Sequence, residues 1–328
     1  MRLWGGDPKH DPIPPQTPDA TAGPDSAASQ LEPRAREDDM PPTVGVIGAG
    51  AVGTALGVAI GRAGWPVKAV ASRDRDRRDR FVGLVPGSRA FMDPLAVVDE
   101  VELVILAVPD DAIPAVVEPL HLFGGQAMVH TSGLLGVDVL LPVLAAGSQI
   151  GAFHPLASFT ADVERSVAGL AGATIALEGD DRLVGMLADL AEAIGGVPVR
   201  LPPGSKPAYH AAAVLASGGL IALLDAVVTL GAAAGIDERG CLAIYGRLME
   251  QTLANARAGG VASALTGPIV RGDVGTLEAH VRAIGEVAPE VLELYLALAR
   301  REIGIARERR ALTPEQVDRV VAALAKVV

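Results

Sequence analysis

The sequence predicts an α/β domain with a mostly parallel sheet, followed by an all-α domain. Between residues 43 and 201, short apolar segments alternate with helical patterns, as in right-handed βαβ units. After Pro203 the strand pattern ends and only helical patterns follow. A chain of 328 residues is long enough for two domains of roughly 100–200 residues each.

Eight segments are predicted to be strands. Residues 102–108, ELVILAV, form a near-continuous apolar run, as expected for a strand that is buried on both faces. The predicted strands are Thr43–Gly48, Val67–Ser72, Arg89–Phe91, Glu102–Val108, Gln126–Thr131, Gln149–His154, Ala173–Glu178 and Val197–Leu201. The helices predicted between them are Ala51–Gly64, Asp74–Gly83, Asp111–Phe123 and Asp180–Ile194.

The second domain is predicted to begin after the segment Leu201–Ser205, LPPGS, which separates the two patterns. Its predicted helices are Lys206–Ala234, Glu238–Ala258, Asp273–Ile284, Pro289–Ala306 and Pro314–Val327. The predicted domains are therefore 43–202 and 203–328. Residues 1–42 hold nine of the 24 prolines and no periodic apolar pattern, which predicts a disordered tail.

Composition excludes several classes of function. A net charge of −11 argues against a nucleic-acid or anionic-membrane surface. The only cysteine is Cys241, so no internal disulfide can form, and the expected location is the cytoplasm. The sequence contains no uninterrupted apolar run of about 18 residues, so no membrane span is expected. No secretory signal is seen at the N-terminus. The six histidines and one cysteine show no metal-site spacing, so no metal is expected.

A glycine motif marks a dinucleotide site. Residues 48–53, GAGAVG, fit G-x-G-x-x-G and stand between a predicted strand and a predicted helix, which is the required context. Gly48 permits the tight turn, Gly50 lets the backbone approach a pyrophosphate, and Gly53 allows the helix to pack on the strand. Together with Ala51 and Val52, which open the helix, these glycines are the predicted pyrophosphate-binding residues of a Rossmann domain.

The residues after the second strand indicate which dinucleotide binds. An NAD site usually has Asp or Glu there, whereas NADP is accommodated by a nearby Arg. Ser72 and Arg73 occupy this place, so NADP(H) is the predicted cofactor, and Asp74 is interpreted as a helix cap. The alternative is a solvated charge run. Val108 ends the fourth strand and Pro109 follows it, and both are predicted to bind the cofactor, with Pro109 beside the nicotinamide ribose.

Beyond these patterns, the chain resembles a known family over residues 43–328. The segments that carry the resemblance are the glycine motif, Ala107–Asp110 (AVPD), His130–Gly133 (HTSG), Gly151–Phe159 (GAFHPLASF), Tyr209–Val214 (YHAAAV), Ala264–Pro268 (ALTGP) and Arg271–Asp273 (RGD). They resemble the Rossmann-like family that carries domain of unknown function 2520 (DUF2520) at its C-terminus. The architecture is also similar to pyrroline-5-carboxylate reductase, ketopantoate reductase and 6-phosphogluconate-type dehydrogenases. The resemblance implies NADP binding and a helical dimerisation domain.

Three residues are candidates for catalysis. Lys206 begins the first helix of the second domain, where related dehydrogenases place a catalytic lysine, and an ammonium can donate a proton. His210 lies four residues on, on the same helix face. His154 follows the sixth strand, at the sheet edge where ligands bind. The alternatives are a surface lysine, a structural histidine in an apolar helix, and a structural His-Pro turn.

Two further residues are candidates for substrate binding. Ser132 follows the fifth strand and could bind a substrate oxygen, although a plain helix cap is an equal alternative. Arg271 could hold a substrate carboxylate. Its alternative is a structural network with Asp273 and Thr276 at the start of a helix.

These residues predict an NADP(H)-dependent oxidoreductase that reduces a small 2-oxo acid or an imine by hydride transfer. The resemblance leads us to expect Asn after Ala216-Ser217, where this chain has Gly218. A catalytically silent NADP-binding sensor or partner-binding protein is therefore the alternative, and hydride transfer to a deazaflavin is a third possibility. The long apolar helices Lys206–Ala234 and Pro289–Ala306 predict a homodimer.

Overall fold

The computed structural model describes residues 40–325. The predicted disordered tail, residues 1–42, therefore lies outside the described residues except for its last three positions. The chain divides into two compact units, the first ending at Ala211 and the second starting at Ala212. The predicted domain bounds, 43–202 and 203–328, stay a prediction.

The first unit contains an eight-stranded sheet with the spatial order β3-β2-β1-β4-β5-β6-β7-β8. The strands are β1 (Val44–Ile47), β2 (Val67–Ala71), β3 (Arg89–Phe91), β4 (Leu103–Leu106), β5 (Ala127–His130), β6 (Gln149–Pro155), β7 (Thr174–Glu178) and β8 (Val197–Arg200). Neighbouring strands are parallel except for β6 and β7, which are antiparallel. The predicted mostly parallel α/β sheet is confirmed.

Both faces of this sheet are buried. In β4, Leu103 and Ile105 belong to one apolar cluster, whereas Val104 and Leu106 belong to another, because successive side chains point to opposite faces. The helices of the unit are α1 (Ala51–Arg62), α2 (Arg75–Leu84), α3 (Leu95–Val98), α4 (Ile113–Val117), α5 (Val163–Ala168), α6 (Asp181–Ala193) and α7 (Lys206–Ala216), which continues into the second unit.

Two predicted helices differ from the structure. The helix predicted at Asp111–Phe123 is only a 3₁₀ turn followed by α4, because Pro119 has no N–H to continue the helix and its ring clashes with the preceding turn. The helix predicted at Lys206–Ala234 is distorted at Ser217, whose φ of −111° and ψ of −75° separate α7 from α8, although Ser217 N–H still donates to Ala213 O and Ile221 N–H to Ser217 O. Gly218 and Gly219 follow this distortion, and glycine is a poor helix former.

The second unit is helical, as predicted. Its remaining helices are α8 (Gly218–Ala233), α9 (Glu238–Gly259), α10 (Val261–Ala264), α11 (Pro268–Arg271), α12 (Val274–Val287), α13 (Pro289–Glu308) and α14 (Pro314–Ala325). Helices α12, α13 and α14 enclose a core that includes Leu277, Val281, Ile303 and Val320. Helix α8 buries far less of its surface within the unit, since only Ala226 and Gly231 are buried.

One helical stretch of the described residues, Lys206–Ala233, is long and apolar enough to cross a membrane by length and composition. It has 28 residues and a mean hydropathy of 2.1, and 6% of its most apolar window is buried. Ser217 distorts this stretch, and one such helix is weak evidence for a membrane span. The absence of a membrane span stays a prediction.

Candidate active site

A cavity of about 960 Å³ lies at the carboxyl ends of β1, β2 and β4, where parallel α/β sheets bind ligands. We call it the nucleotide cavity. Its lining includes eight of the nine predicted cofactor-binding residues, namely Gly48, Gly50, Ala51, Val52, Ser72, Arg73, Val108 and Pro109. The ninth, Gly53, lies beneath the glycine loop, as described next. The sequence motif and the cavity thus coincide.

The three glycines meet different steric demands. Gly48 has a φ of +111°, and a Cβ at this position would overlap the carbonyl oxygen of Ala107. A Cβ on Gly53 would overlap the carbonyl oxygen of Gly48, so the close packing of α1 on the loop requires glycine. A Cβ on Gly50 would meet nothing within 4 Å. The space above Gly50 is therefore open toward the cavity, as a bound pyrophosphate requires.

The end of β2 is arranged as the sequence predicted. The Asp74 side chain accepts a hydrogen bond from the backbone N–H of Arg77 at 3.1 Å and caps α2. Arg78 donates to the carbonyl oxygen of Ser72 and fixes the turn. Asp74 is thus committed to the helix. Arg73 and Arg77 both line the cavity, and Arg77 is paired with Asp74 at 3.3 Å.

Three strands place ionisable side chains on one face of the sheet. His130 ends β5 and pairs with Ala152 of β6, which in turn pairs with Glu178 at the end of β7. Directly paired residues share a face, so His130 and Glu178 project to the same side. His154 lies two residues beyond Ala152 and also projects to that side, because side chains alternate along a strand.

Helix α7 adds the remaining polar groups from its first turns. Lys206 is 2% exposed, and its Nζ lies 3.4 Å from Glu178 Oε2. The ring of His154 packs edge-on against Tyr209 and His210, with centroid distances of 5.7 and 6.0 Å. The three predicted catalytic residues, Lys206, His210 and His154, therefore lie in one cluster. We call this group, with His130, the buried polar cluster. Its six members are His130, His154, Glu178, Lys206, Tyr209 and His210.

The buried polar cluster is rich in unsatisfied hydrogen-bonding atoms. Among the described residues, all five buried side-chain nitrogen or oxygen atoms without a hydrogen-bond partner belong to it. They are His154 Nδ1, Glu178 Oε2, Lys206 Nζ, Tyr209 OH and His210 Nδ1. Lys206 and Glu178 form an ion pair, but the contact lacks the alignment of a hydrogen bond. Each such atom costs about 1–3 kcal/mol, so their concentration indicates a place for a polar ligand.

Burial sets the protonation states in this cluster. It lowers the pKa of Lys206, and the carboxylate of Glu178 partly opposes this shift. Burial and the positive charge of Lys206 lower the pKa of His154 to about 4 and that of His130 to about 3. Burial raises the pKa of Tyr209. At neutral pH the cluster therefore holds two uncharged imidazoles and a neutral phenol beside the Lys206–Glu178 pair.

The low pKa of His130 predicts that stability falls in mild acid. The unfolded chain binds a proton below a pKa of about 6.5, whereas folded His130 does so only near 3. Stability from this residue is therefore complete above pH 6.5 and is lost as the pH falls toward 3. Between pH 7 and pH 5 the loss is about 2 kcal/mol.

Urea unfolding of the wild type and the His130→Gln variant at both pH values checks this prediction. The variant is expected to show a smaller loss of unfolding free energy between pH 7 and pH 5. Replacing the exposed His121 by Gln is the matched control and should leave the pH dependence of the wild type in place. Equal pH dependence in the wild type and the His130 variant would contradict the assignment.

Two family models match the chain. A model described as a Rossmann-like domain matches residues 25–155, and a model described as a domain of unknown function, DUF2520, matches residues 173–302. The chain is a Rossmann-like protein with a DUF2520 domain. The resemblance inferred from the sequence motifs is confirmed. No curated protein matches the chain.

Solved structures share the fold of this DUF2520 protein. A proposed NADP oxidoreductase from Bacteroides fragilis is 20% identical, with a TM-score of 0.66 over 81% of this chain and 99% of that one. A protein from Thermotoga maritima is 26% identical, with a TM-score of 0.61 over 81% and 99% of the chains. Pyrroline-5-carboxylate reductase from Streptococcus pyogenes is 17% identical, with a TM-score of 0.57 over 81% and 98%. The predicted similarity in architecture to that reductase is confirmed.

Ser132 of the DUF2520 protein is 5% exposed, and its hydroxyl makes three hydrogen bonds. It donates to Asp110 Oδ2 at 2.7 Å and accepts from the backbone N–H groups of Leu134 and Leu135. One donated and two accepted bonds fill the capacity of a hydroxyl. This arrangement favours the structural alternative for Ser132, since a substrate would have to displace one of these partners.

Arg271 ends α11 in the second unit, where it is exposed. Asp273 caps α12 and accepts hydrogen bonds from both the backbone N–H and the hydroxyl of Thr276. The negative charge of Asp273 faces Arg271 closely enough that the arginine helps to lower the pKa of Asp273. Within this unit the geometry is that of a loop–helix network, and substrate binding by Arg271 stays a prediction.

Sequence reasoning missed Glu178, His130 and Tyr209. Glu178 ends the otherwise apolar strand TIALE, so a charged residue after a buried run was an available signal. His130 precedes the Thr-Ser-Gly segment that drew attention to Ser132. Among residues 40–325, no group of three or more His, Cys, Asp or Glu residues could hold a metal ion, and the absence of a metal stays a prediction.

Proposed function

We propose that this protein is an NADP(H)-dependent oxidoreductase that reduces a small imine or 2-oxo acid by hydride transfer. The observation that carries the proposal is the buried Lys206, which lies in a cluster of unsatisfied polar atoms. The nucleotide cavity in the same unit provides the place for the cofactor. A hydride donor and a proton donor are the two requirements for reducing a C=N or C=O bond.

The residues of the nucleotide cavity fit NADP(H). The open space above Gly50 accommodates a pyrophosphate, and the free N–H groups at the start of α1 can donate to it. Ser72 and Arg73 lie where the 2′-phosphate of the adenosine ribose would bind. NADPH, when bound, supplies the hydride.

The buried polar cluster would supply the proton and hold the substrate. Lys206 can donate a proton from Nζ, and the neutral His154 and Tyr209, together with His210, can position the reacting group by hydrogen bonds. Lys206 carries the positive charge of this cluster and Glu178 offsets it. Because this leaves little net charge to bind a carboxylate, we place the imine ahead of the 2-oxo acid. The structural neighbour named as an imine reductase from Streptomyces aurantiacus supports this order.

The first test is a fluorescence titration of the purified protein with NADPH and, separately, with NADH. Tight and preferential binding of NADPH is the expected result, followed by NADPH oxidation in a screen of cyclic imines and 2-oxo acids. Absence of binding by both nucleotides would overturn the proposal. Binding without turnover of any compound would favour the silent sensor.

Arg73→Ala is expected to weaken NADPH binding by roughly 10- to 100-fold, since a charged hydrogen-bonded pair contributes about 1.5–3 kcal/mol. Binding of NADH, which lacks the 2′-phosphate, should change little. The matched control is Arg75→Ala, because Arg75 is exposed and pairs with Asp79 on α2. Parallel titrations of both variants with both nucleotides check the prediction, and equal losses for NADPH and NADH would refute the role of Arg73.

The silent sensor is the second candidate, and Gly218 is the observation that favours it. A Cβ at Gly218 would meet nothing within 4 Å, so Gly218→Asn is sterically tolerated. Turnover that appears only in this variant would support the loss of an ancestral activity. Full turnover by the unaltered protein would eliminate the sensor.

We also infer a homodimer in the cytoplasm. Helices α8 and α9 expose apolar side chains that nothing in the second unit covers, including Ile221, Leu248 and Leu253. A patch of this kind indicates an interface, and a second copy of the chain presents the same apolar surface. A monomeric mass at micromolar concentration in sedimentation equilibrium would contradict the dimer.

A further inference from the structure

A second cavity, of about 900 Å³, lies in the first unit. It shares no lining residue with the nucleotide cavity. Its lining includes the ionisable residues Asp138, Glu178, Asp180 and Arg200. Of these, Glu178 is also a member of the buried polar cluster. Glu178 is therefore the member of the buried polar cluster that also lines the second cavity.

Lys206 has little other access to solvent. Its side chain is 2% exposed, whereas that of Glu178 is 12% exposed. Glu178 Oε2 lies 3.4 Å from Lys206 Nζ, and both atoms lack a hydrogen-bond partner. An amine that gives its proton to a substrate must regain one before the next turnover, and Glu178 is the group between this amine and the second cavity.

We propose that Glu178 is a positioning residue that returns a proton from solvent in the second cavity to Lys206 after each turnover. This inference rests on the proposed reduction, in which Lys206 loses the proton. It assigns the second cavity the role of a proton entry route. The nucleotide cavity then holds the cofactor, and protons reach Lys206 through the second cavity without passing the bound cofactor.

Each proton transfer breaks one bond to hydrogen and forms another. The N–H bond of the Lys206 ammonium breaks as the proton joins the reduced substrate atom, and Lys206 becomes an uncharged amine. A hydronium ion in the second cavity protonates the Glu178 carboxylate and leaves as water. The O–H bond of Glu178 then breaks as the N–H bond of Lys206 forms, which restores the ion pair. No atom is oxidised or reduced in these steps.

Other charged or titratable groups facing Lys206 fit this role less well. Asp110 is near enough to influence Lys206, but its carboxylate accepts from Ser132 and it does not line the second cavity. His130 and His154 are held neutral by burial and by the charge of Lys206. Tyr209 and His210 share the helix of Lys206, and neither lines the second cavity.

The remaining carboxylates of the second cavity provide the comparison for an experiment. Asp180 caps α6 and is held by Gln149, so replacing it would disturb the fold. Asp138 lines the same cavity and is not a member of the buried polar cluster. Asp138→Asn is therefore the matched control for Glu178→Gln.

The first measurement is steady-state kinetics with the screened substrate. Glu178→Gln is expected to lower kcat by about tenfold or more, with KM and NADPH affinity unchanged, and to raise the solvent isotope effect on kcat. Acetate or formate added to the assay should restore part of the rate. Glu178→Asp should be less impaired than Glu178→Gln because it keeps the carboxylate, and Asp138→Asn should stay close to the wild type. A folded Gln variant that retains the wild-type kcat, or that small acids do not rescue, would overturn the proposal.

The second measurement needs no turnover. The rate at which acetic anhydride labels Lys206 is followed against pH by mass spectrometry, with the exposed Lys68 as internal reference. Glu178→Gln should shift the labelling of Lys206 to lower pH, and an unchanged labelling profile would overturn the coupling. A shifted profile in a protein that reduces no substrate would support the coupling and overturn the proposed reduction. Normal turnover with an unchanged labelling profile would support the proposed reduction and overturn the coupling between Glu178 and Lys206.

Discussion

Lys206→Met is expected to lower kcat by about 10²- to 10⁴-fold, which is the usual contribution of a positioned general acid. Methionine fills a similar volume but has no proton to donate. Lys206 does not line the nucleotide cavity, so the affinity for NADPH should stay close to that of the wild type. Stopped-flow measurement of NADPH oxidation, with a parallel NADPH titration, separates the two effects.

The variant needs a control for folding, because the substitution Lys206→Met leaves the Glu178 carboxylate without its partner. Removing one member of a buried ion pair costs about 3–5 kcal/mol. The double variant Lys206→Met/Glu178→Gln removes both charges and should regain stability but not activity. Lys206→Arg keeps the charge, yet it should also be slow, since a guanidinium does not give up its proton.

A matched lysine variant completes the design. Lys68 lies on β2 and is exposed, so Lys68→Met should retain both turnover and nucleotide binding. If folded Lys206→Met turned over at the rate of the wild type, Lys206 would not be the acid. The phenol of Tyr209, which is buried and unpartnered beside His154, would then be the next proton donor to test.

The nucleotide half of the site could be predicted from sequence because its determinants are local. A strand, six residues and a helix specify the glycine loop. Gly53 is required by its contact with Gly48 in the same segment, and the positive φ of Gly48 is itself a local demand for glycine. Arg73 and Asp74 are adjacent but have different roles. Asp74 caps α2, as its residue type predicts, and Arg73 lines the cavity. Long-range information was not needed for these assignments.

The buried polar cluster depends on strand pairing, which a single sequence does not specify. The apolar run of β7 predicts a strand but not its direction, and β7 is antiparallel to β6. That direction is what pairs Glu178 with Ala152 and brings its carboxylate to the face that His130 and Lys206 share. If β7 were interpreted as one more parallel strand, Glu178 would simply end that strand, and no residue of the cluster would be predicted to lie beside it.

Burial was the other property that the sequence left open. Lys206 at a helix start has the sequence context of a solvated lysine, and only the fold shows that it is 2% exposed. Ser132 shows the opposite outcome, because its three hydrogen bonds within the chain are not visible in the Thr-Ser-Gly motif. The motifs therefore predicted where the candidate site lies, and packing distinguished side chains with unpaired polar atoms from those whose hydrogen bonds hold the loop.

Gly50→Ala is expected to weaken NADPH binding by roughly 10- to 100-fold while the protein still folds. The new Cβ would meet nothing within 4 Å in the protein, so no clash opposes folding. The methyl group would instead occupy the space where the pyrophosphate approaches the backbone, at a cost of about 1.5–3 kcal/mol in lost hydrogen bonds to the charged phosphates. Fluorescence titration with NADPH measures the loss, and thermal unfolding measures the fold.

Gly61 provides the matched control on the same helix. A Cβ at Gly61 would lie 3.7 Å from Val85 Cγ1, an ordinary contact outside the nucleotide cavity. Gly61→Ala should therefore bind NADPH normally and, as an alanine within a helix, stabilise the protein by about 0.5–1 kcal/mol. Normal NADPH affinity in Gly50→Ala would mean that no pyrophosphate lies against this loop, and the cofactor assignment itself would then be wrong. A loss confined to Gly50→Ala, with Gly61→Ala intact, identifies the glycine loop as the site of contact because both variants add the same methyl group to the same helix region.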